Sequence, residues 1–434
     1  MMSKADFVTR LPVLLRSDPA RVVIRPYTPA ADPKGFDQGD RPRAQRIADR
    51  VLALDEAELR EELRRLLTDF SGRHRDVESV FLRRFQEVNG LIICKCEVSR
   101  DRAILIGAYF SNEYSYEAAA LFNPSIVPHP DQSGVAADAI RFVLSLRAVG
   151  EGHVSSVAFR TGVCGANGVV AIDPSSPRPV VLQMENMPGD GTSEPGVRII
   201  CDGSHDLSEI VLFPMTPSQR NGIEDLRLVR FVDDDGSATY LGTYTAFNGQ
   251  AIRQELLRTT DFRTFELKAL HGDATSSKGM ALFPRRIDGQ YAILGRQDNE
   301  NILFLTSDDL YDWNGGVKTV SPRWPWEFVQ IGNCGSPIEI DEGWLLITHG
   351  VGSVRNYCIG ACLLDRNDPS KLLARVTQPL LRSDAEEREG YVPNVAYSCG
   401  AMVHNRVLVL PYAVADSFTT FATVPLDQLL AAMA

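Results

Sequence analysis

At 434 residues the chain has room for one large domain or two ordinary ones, with a sizeable core. Its 44% hydrophobic and 23% charged content is that of a soluble protein, and a net charge of −11 excludes a polyanionic partner, because no positive field would gather phosphodiesters. Arg10, Pro12 and Arg16 interrupt the first twenty residues before any apolar run of signal-peptide length, and no segment reaches transmembrane length. A cytoplasmic protein that binds neither nucleic acid nor membrane is expected.

Residues from about Pro42 to Asn89 read as helical. Leu59, Leu63, Leu66, Leu67 and Phe70 form one apolar stripe at helical spacing. Asp55, followed by Glu56 and Glu58, has the chemistry of an N-cap and an acidic first turn. Ser71-Gly72 ends that helix, and Val77, Phe81 and Phe85 mark another that stops near Asn89-Gly90.

After Gly90 the pattern becomes short apolar runs separated by Gly, Asn, Asp and Pro. LIICKCEV, AILIGAYF, IRFVLSLRAV, YLGTYTAF, YAILGR, ILFLTS, WLLITHGV and RVLVLPYAV each have strand length, and Asp235-Gly236, Asn248-Gly249 and Asp288-Gly289 have turn chemistry. TTDFRTF, SDDLYDW, NDPSKLL and PLDQLL repeat one theme, a strand, then a polar turn with Asp, then an aromatic or Leu. Recurrence every ~45–60 residues suits a four-stranded propeller blade. An earlier blade through SLRAVGEGHVSSVAFRTG brings the count to five. The expected fold is therefore all-β, a five-bladed β-propeller over residues 91–434 with a largely helical N-terminal extension over residues 1–90. A β-sandwich with irregular loops is the alternative.

The eight cysteines have neither disulfide-framework nor zinc spacing, so ordinary thiols in a reducing compartment are expected, with no metal site. The densest charge inside an apolar strand is NGIEDLRLVRF, which carries Glu224, Asp225, Arg227 and Arg230. Adjacent carboxylates beside guanidiniums can set one acid against one ionised partner. The same four residues could equally make a salt-bridged surface turn.

The EDxR run, followed by TYTAFNG, resembles the signature of glycoside hydrolase family 130, the β-mannoside phosphorylases and β-mannosidases. LFNPSIV and FVLSLRAVGEGHVSS resemble that family's first blade, KGMALFPRRIDGQYAILGR its third, and IGNCGSPIEIDEGWLLITHGV its fourth. YCIGACLLDRNDPSKLLAR, VPNVAYSCGAM and PYAVADSF resemble the closing blade. The resemblance runs from about Leu121 to the last residues. It implies a five-bladed propeller with a central pocket and inverting chemistry, in which Asp225 supplies the proton to the leaving oxygen. It further implies that Asn123, Arg147, Glu224, Arg227, His349 and Asp416 bind substrate or hold the carboxylates.

The nucleophile separates two reactions within that resemblance. Phosphorolysis needs a cationic cradle, for which Arg253, Lys278 and Arg296 are the candidates. Gly295 stands where the resemblance implies a histidine beside Arg296, which removes one donor to phosphate. Hydrolysis instead needs a carboxylate base about 6.5–9.5 Å from the acid, and Glu151 and Asp298 are the candidates. The expectation is an inverting enzyme cleaving β-mannosidic bonds of short oligosaccharides, by hydrolysis in first preference. It needs no cofactor beyond phosphate as a co-substrate if phosphorolytic, and the apolar stripe of the N-terminal helices permits, without requiring, a homo-oligomer. A non-catalytic carbohydrate-binding propeller is the rival. Trp324 and Trp326 are expected near an acceptor subsite, Trp313 and Trp344 in the core.

Overall fold

The structure is a computed structural model and describes residues 7–33, 41–94, 97–180, 182–188, 195–383 and 387–434. Two compact units are present, one of Met1–Asp18, Glu117–Ser176 and Leu182–Ala434, the other of Pro19–Tyr116 with Pro177–Val181.

The smaller unit is built on four helices, α1 (Arg43–Leu52), α2 (Glu56–Ser71), α3 (Val77–Val88) and α4 (Arg100–Tyr109), with a two-stranded ribbon of Val22–Pro26 and Ser111–Ser115. The capping chemistry at Asp55 is realised in full. Its Oδ1 accepts from the amides of Ala57 and Glu58, each at 2.8 Å, while Glu58 accepts from the Asp55 amide at 3.0 Å. The strands expected at residues 91–98 and 103–110 are not found. No strand lies in the described part of the first, and α4 occupies the second. Ala103, Ile104, Leu105, Ile106 and Gly107 of α4 are all buried, so no polar face is left to show a helical period. No helix among the described residues is long and apolar enough to cross a membrane.

The larger unit is almost entirely antiparallel sheet, and its strands follow one another as five meanders. The first comprises Ala120–Pro128, Ile140–Val149, Ser155–Cys164 and Val170–Ile172. The second runs Gly222–Val232, Ala238–Phe247, Ile252–Thr259 and Thr264–Ala269, and Val197–Ile200 and Gln183–Asn186 extend its outer edge. A single parallel bridge, Gly222 to Ser155, joins these two. Only glycine serves there, because φ is +152° and a Cβ would lie 3.0 Å from that of Ser155. The third meander is Ala281–Leu282, Tyr291–Gly295, Ile302–Ser307 and Val317–Val320. The fourth is Gln330–Asn333, Gly343–Val351, Tyr357–Leu364 and Leu372–Arg375. YCIGACLLDRNDPSKLLAR, expected in the closing blade, thus belongs to the fourth meander.

The fifth meander pairs Val407–Val414 with Phe418–Pro425, and its last partner comes from the other end of the chain. Thr9–Leu15 lies antiparallel to Phe418–Pro425, with Thr9 opposite Thr423 and Leu15 opposite Thr419. The repeated Asp turns are hydrogen-bonded as their chemistry demands. Asp261 accepts from the amides of Arg263 and Thr264, and Asp309 from that of Tyr311. The aromatics that follow, Phe262 and Trp313, are buried, as is Trp344.

Cys164, Cys201, Cys334, Cys358, Cys362 and Cys399 are buried free thiols; Cys96 lies outside the described residues. Burial pushes the thiols of Cys201, Cys334 and Cys362 up to about 12, so they pack as small apolar groups.

Candidate active site

Two β-bulges aim the central carboxylate. In strand Gly222–Val232, Glu224 opposes Thr245 and Arg227 opposes Thr243, so Asp225 and Leu226 together face a single partner. In strand Ala120–Pro128 the same shift falls between Phe122 and Ser125, around Asn123. The extra residue lets each chain turn locally, and Asp225 and Asn123 take left-handed φ values of 56° and 50°. Both side chains turn out of the sheet, and Asn123 Nδ2 donates to Asp225 Oδ1 at 2.7 Å. Non-glycine residues in this region concentrate at functional sites.

Asp225 stands in a ring of cations. Arg147 donates to it at 3.3 Å and to Glu224 at 2.7 Å, and Ser155 accepts from the same guanidinium at 2.9 Å. Lys278 Nζ donates to the other Glu224 oxygen at 2.6 Å. Arg227 is buried, donating to the Asp225 carbonyl at 3.0 Å, to Asn333 at 3.2 Å and to the Tyr397 hydroxyl at 2.6 Å. Burial works to raise the Asp225 carboxyl, but the charges of Arg147 and Arg227 and the bond from Asn123 outweigh it and hold it below the usual carboxylate range. Asp225 is therefore ionised at neutral pH.

The opposite wall is ordered by His349. The carbonyl of Asn333 can only accept, so the 3.1 Å contact protonates His349 Nδ1. Burial, then the charges of Arg296 and Arg227, hold the imidazole well below its ordinary pKa. Nε2 is consequently bare and accepts from Arg296 Nη1 at 3.1 Å. Gly332 lies beneath this pair, where a Cβ would come within 2.4 Å of the imidazole and 3.2 Å of the guanidinium. The Arg296 Nε and the Asn123 Oδ1 are buried without a protein partner, two polar atoms left for a ligand.

These groups line one cavity of about 230 Å³, bounded by Asn123, Arg147, Asp225, Arg227, Lys278, Arg296, Gln330, His349, Arg355, Tyr357, Val392, Val395, Tyr397 and Asp416. Asp416 is turned inward at φ 50°. Its carboxyl is pushed up to about 6 by burial and by the charge of Asp225, against the pull of Arg147 and Arg355. Eight of the expected residues meet here, and Glu224 sits behind them, bound to Arg147 and Lys278.

The other three lie elsewhere. Arg253 stands 3.9 Å from Glu255 and is not part of the wall. Glu151 is exposed in the short turn Glu151–His153. Asp298 ties down its own turn: burial works to raise it, but bonds from the Asn301 and Glu300 amides and the Asn301 side chain hold it below its ordinary value. Arg355, Gln330, Tyr357 and Tyr397 were not foreseen. Tyr397, two residues before Cys399 in VAYSCG, could have been suspected as a polar-tipped aromatic inside an apolar run. Trp324 and Trp326 do not line the cavity. Trp326 covers Gly350 and Gly360, and its Nε1 donates to the Thr377 carbonyl at 3.3 Å. Among the described residues no cluster of His, Cys, Asp and Glu is arranged to hold a metal.

Comparison with known proteins returns one family. The profile of glycoside hydrolase family 130, described as beta-1,4-mannooligosaccharide phosphorylase, matches residues 196–434. A 1,2-beta-oligomannan phosphorylase of Thermoanaerobacter sp. (strain X514) is 33% identical over 229 residues, 51% of this chain and 75% of its own length. A beta-1,2-mannobiose phosphorylase of Listeria innocua serovar 6a is 30% identical over 227 residues, 50% of this chain and 62% of its own. Among solved structures, a glycosyl hydrolase from Bacteroides ovatus superimposes with a TM-score of 0.51 at 20% identity, over 72% of this chain and 86% of the other, a likeness of fold.

Proposed function

This chain belongs to glycoside hydrolase family 130 and is an enzyme, and from that premise we propose that it cleaves β-mannosidic bonds of short manno-oligosaccharides with inversion, by phosphorolysis. In this reading the five meanders are the blades of a five-bladed propeller and the cavity is its central pocket. The helical unit is an extension to the catalytic domain. A cytoplasmic setting is supported by the free cysteines.

The observation that carries phosphorolysis over hydrolysis is the charge of the cavity. Arg147, Arg227, Lys278, Arg296 and Arg355 face Asp225 and Asp416, with Glu224 adjoining. Five cations against three carboxylates leave two positive charges, which match a phosphate dianion. Glu151 and Asp298, the bases expected for hydrolysis, are outside the wall. Lys278, Arg296 with its open Nε, and Arg355 would hold the phosphate, while Asn123, Arg147 and Asp416 would hold the sugar.

Asp225 has to deliver a proton to the leaving oxygen, and in the free enzyme the surrounding cations favour its ionised form. A phosphate dianion would neutralise those cations and let burial raise the carboxyl, so that the acid becomes competent when the nucleophile is in place. The order of events then follows from electrostatics alone.

A second reading has its own support. Asp416, with a pKa of about 6, is suited to act as a base at neutral pH, and it could activate water if phosphate is not used. The test is product analysis on β-1,2- and β-1,4-mannobiose with and without phosphate. Mannose 1-phosphate formed only with phosphate supports phosphorolysis, and free mannose at a phosphate-independent rate supports hydrolysis. Binding without turnover of either, with Asp225→Asn binding equally well, would favour a carbohydrate-binding protein.

A further inference from the structure

The cavity has room for one sugar ring. At about 230 Å³ it is smaller than the roughly 300–1,000 Å³ of pockets that enclose drug-sized ligands. The ring on the far side of the scissile bond must therefore lie at the mouth, and the surface there differs from the polar wall. Phe328 and Val329 run directly into Gln330, Val354 precedes Arg355, and Tyr391 precedes Val392, these neighbours all being wall residues. The four are 64%, 59%, 87% and 57% exposed. Of the thirteen large hydrophobics exposed among the described residues, these four thus adjoin, in sequence, residues of one polar cavity wall.

The loops that carry them are tied together. The Val329 amide donates to the Val351 carbonyl at 2.9 Å, the Tyr357 amide to Asn394 at 2.9 Å, and the Val392 amide to Ala415 at 3.0 Å. The Tyr391 amide donates to Ser417 Oγ at 3.0 Å, one residue from Asp416. The Tyr391 ring lies 5.8 Å from that of His153, at 32° to it. Val354 is held at φ 56° and Arg355 at φ 52°. A β-branched residue is costly in that region. The result is that Arg355 joins the wall while Val354 faces outward.

We propose that this rim, Tyr391 with His153 on one loop pair and Phe328 and Val354 on the others, is the subsite for the departing sugar, receiving its apolar C–H face and deciding which saccharides are cut. The inference rests on the β-mannoside reading above. Aromatic and aliphatic side chains already fixed by backbone bonds offer such a face a surface to desolvate at little entropic cost.

The test compares the full-length enzyme with Tyr391→Ala and Tyr391→Trp on β-linked mannobiose, on mannotriose and on β-mannosyl fluoride, whose leaving atom is too small to reach the rim. Tyr391→Ala is expected to raise KM for the saccharides tenfold or more and to leave kcat/KM for the fluoride within twofold, with Tyr391→Trp restoring the saccharide KM. The fluoride reports that the variant is folded, and Phe328→Ser repeats the comparison on a second loop. An equal effect of both alanine and serine variants on all substrates, or no effect on any, overturns the proposal. A wild-type enzyme inactive on all three substrates overturns the β-mannoside reading first, and the subsite with it.

Discussion

Replacing Asp416 by Asn should make the protein more stable and less active, and the gain should depend on pH. Burial and the charge of Asp225 push this carboxyl from 3.8 up to about 6. The folded state therefore holds the proton more tightly than the unfolded chain does. The associated stability is complete below pH 3.8 and is lost as pH rises through 6. At pH 7.5 the ionised Asp416 costs about 3 kcal/mol, and water at the cavity mouth lowers this towards half. Asparagine has the same shape and no charge, so Asp416→Asn should gain about 1.5–3 kcal/mol in urea unfolding at pH 7.5 and only a few tenths of a kcal/mol at pH 4. Its kcat/KM should fall, and a drop in wild-type kcat/KM on acidification through about 6 is expected that the variant lacks. A variant no more stable than wild type at pH 7.5, or equally stabilised at both pH values, would refute the argument that this carboxylate is held against its preference.

Asn123→Ala deletes the 2.7 Å bond to Asp225, and a hydrogen bond to a charged group of ~1.5–3 kcal/mol predicts a roughly tenfold to hundredfold fall in kcat/KM. Glu327 accepts from buried Arg375 at 2.6 Å and from the amides of Arg323 and Trp324. Glu327→Ala strands that guanidinium and should cost about 3–5 kcal/mol in chemical denaturation. Asp55→Ala removes both cap bonds of α2 and should destabilise the helical unit by about 1 kcal/mol, read as a lower urea midpoint.

What the sequence disclosed, and what it hid, follow from the range of the interactions. Strands such as Ile140–Val149 and Ile302–Ser307 were legible because turn chemistry and apolar runs are local signals. Helix α4 was misread because a run buried all round has the same appearance in a helix as in a strand. Ser99, whose hydroxyl accepts from the Arg102 amide, was the overlooked cap. At the site, Asp225 and its partners were reached through the resemblance. The two bulges that aim Asp225 and Asn123 were invisible, since register is a property of a strand pair. Arg355 escaped notice because it reaches the cavity through a strained loop, and Asp298 was overrated because a turn-capping carboxylate and a catalytic one look alike until their acceptors are counted.

The pairing of Thr9–Leu15 with Phe418–Pro425 sets a timetable for the cell. Some 400 residues separate the two strands, and at about 5–20 residues per second the ribosome needs roughly 20–80 s to supply the second after the first. Throughout that interval a strand rich in leucine and valine waits with its hydrogen-bonding edge open. This stitch therefore cannot be made until some 400 further residues have been translated, and until then the nascent chain carries an open edge to which its neighbours can stick.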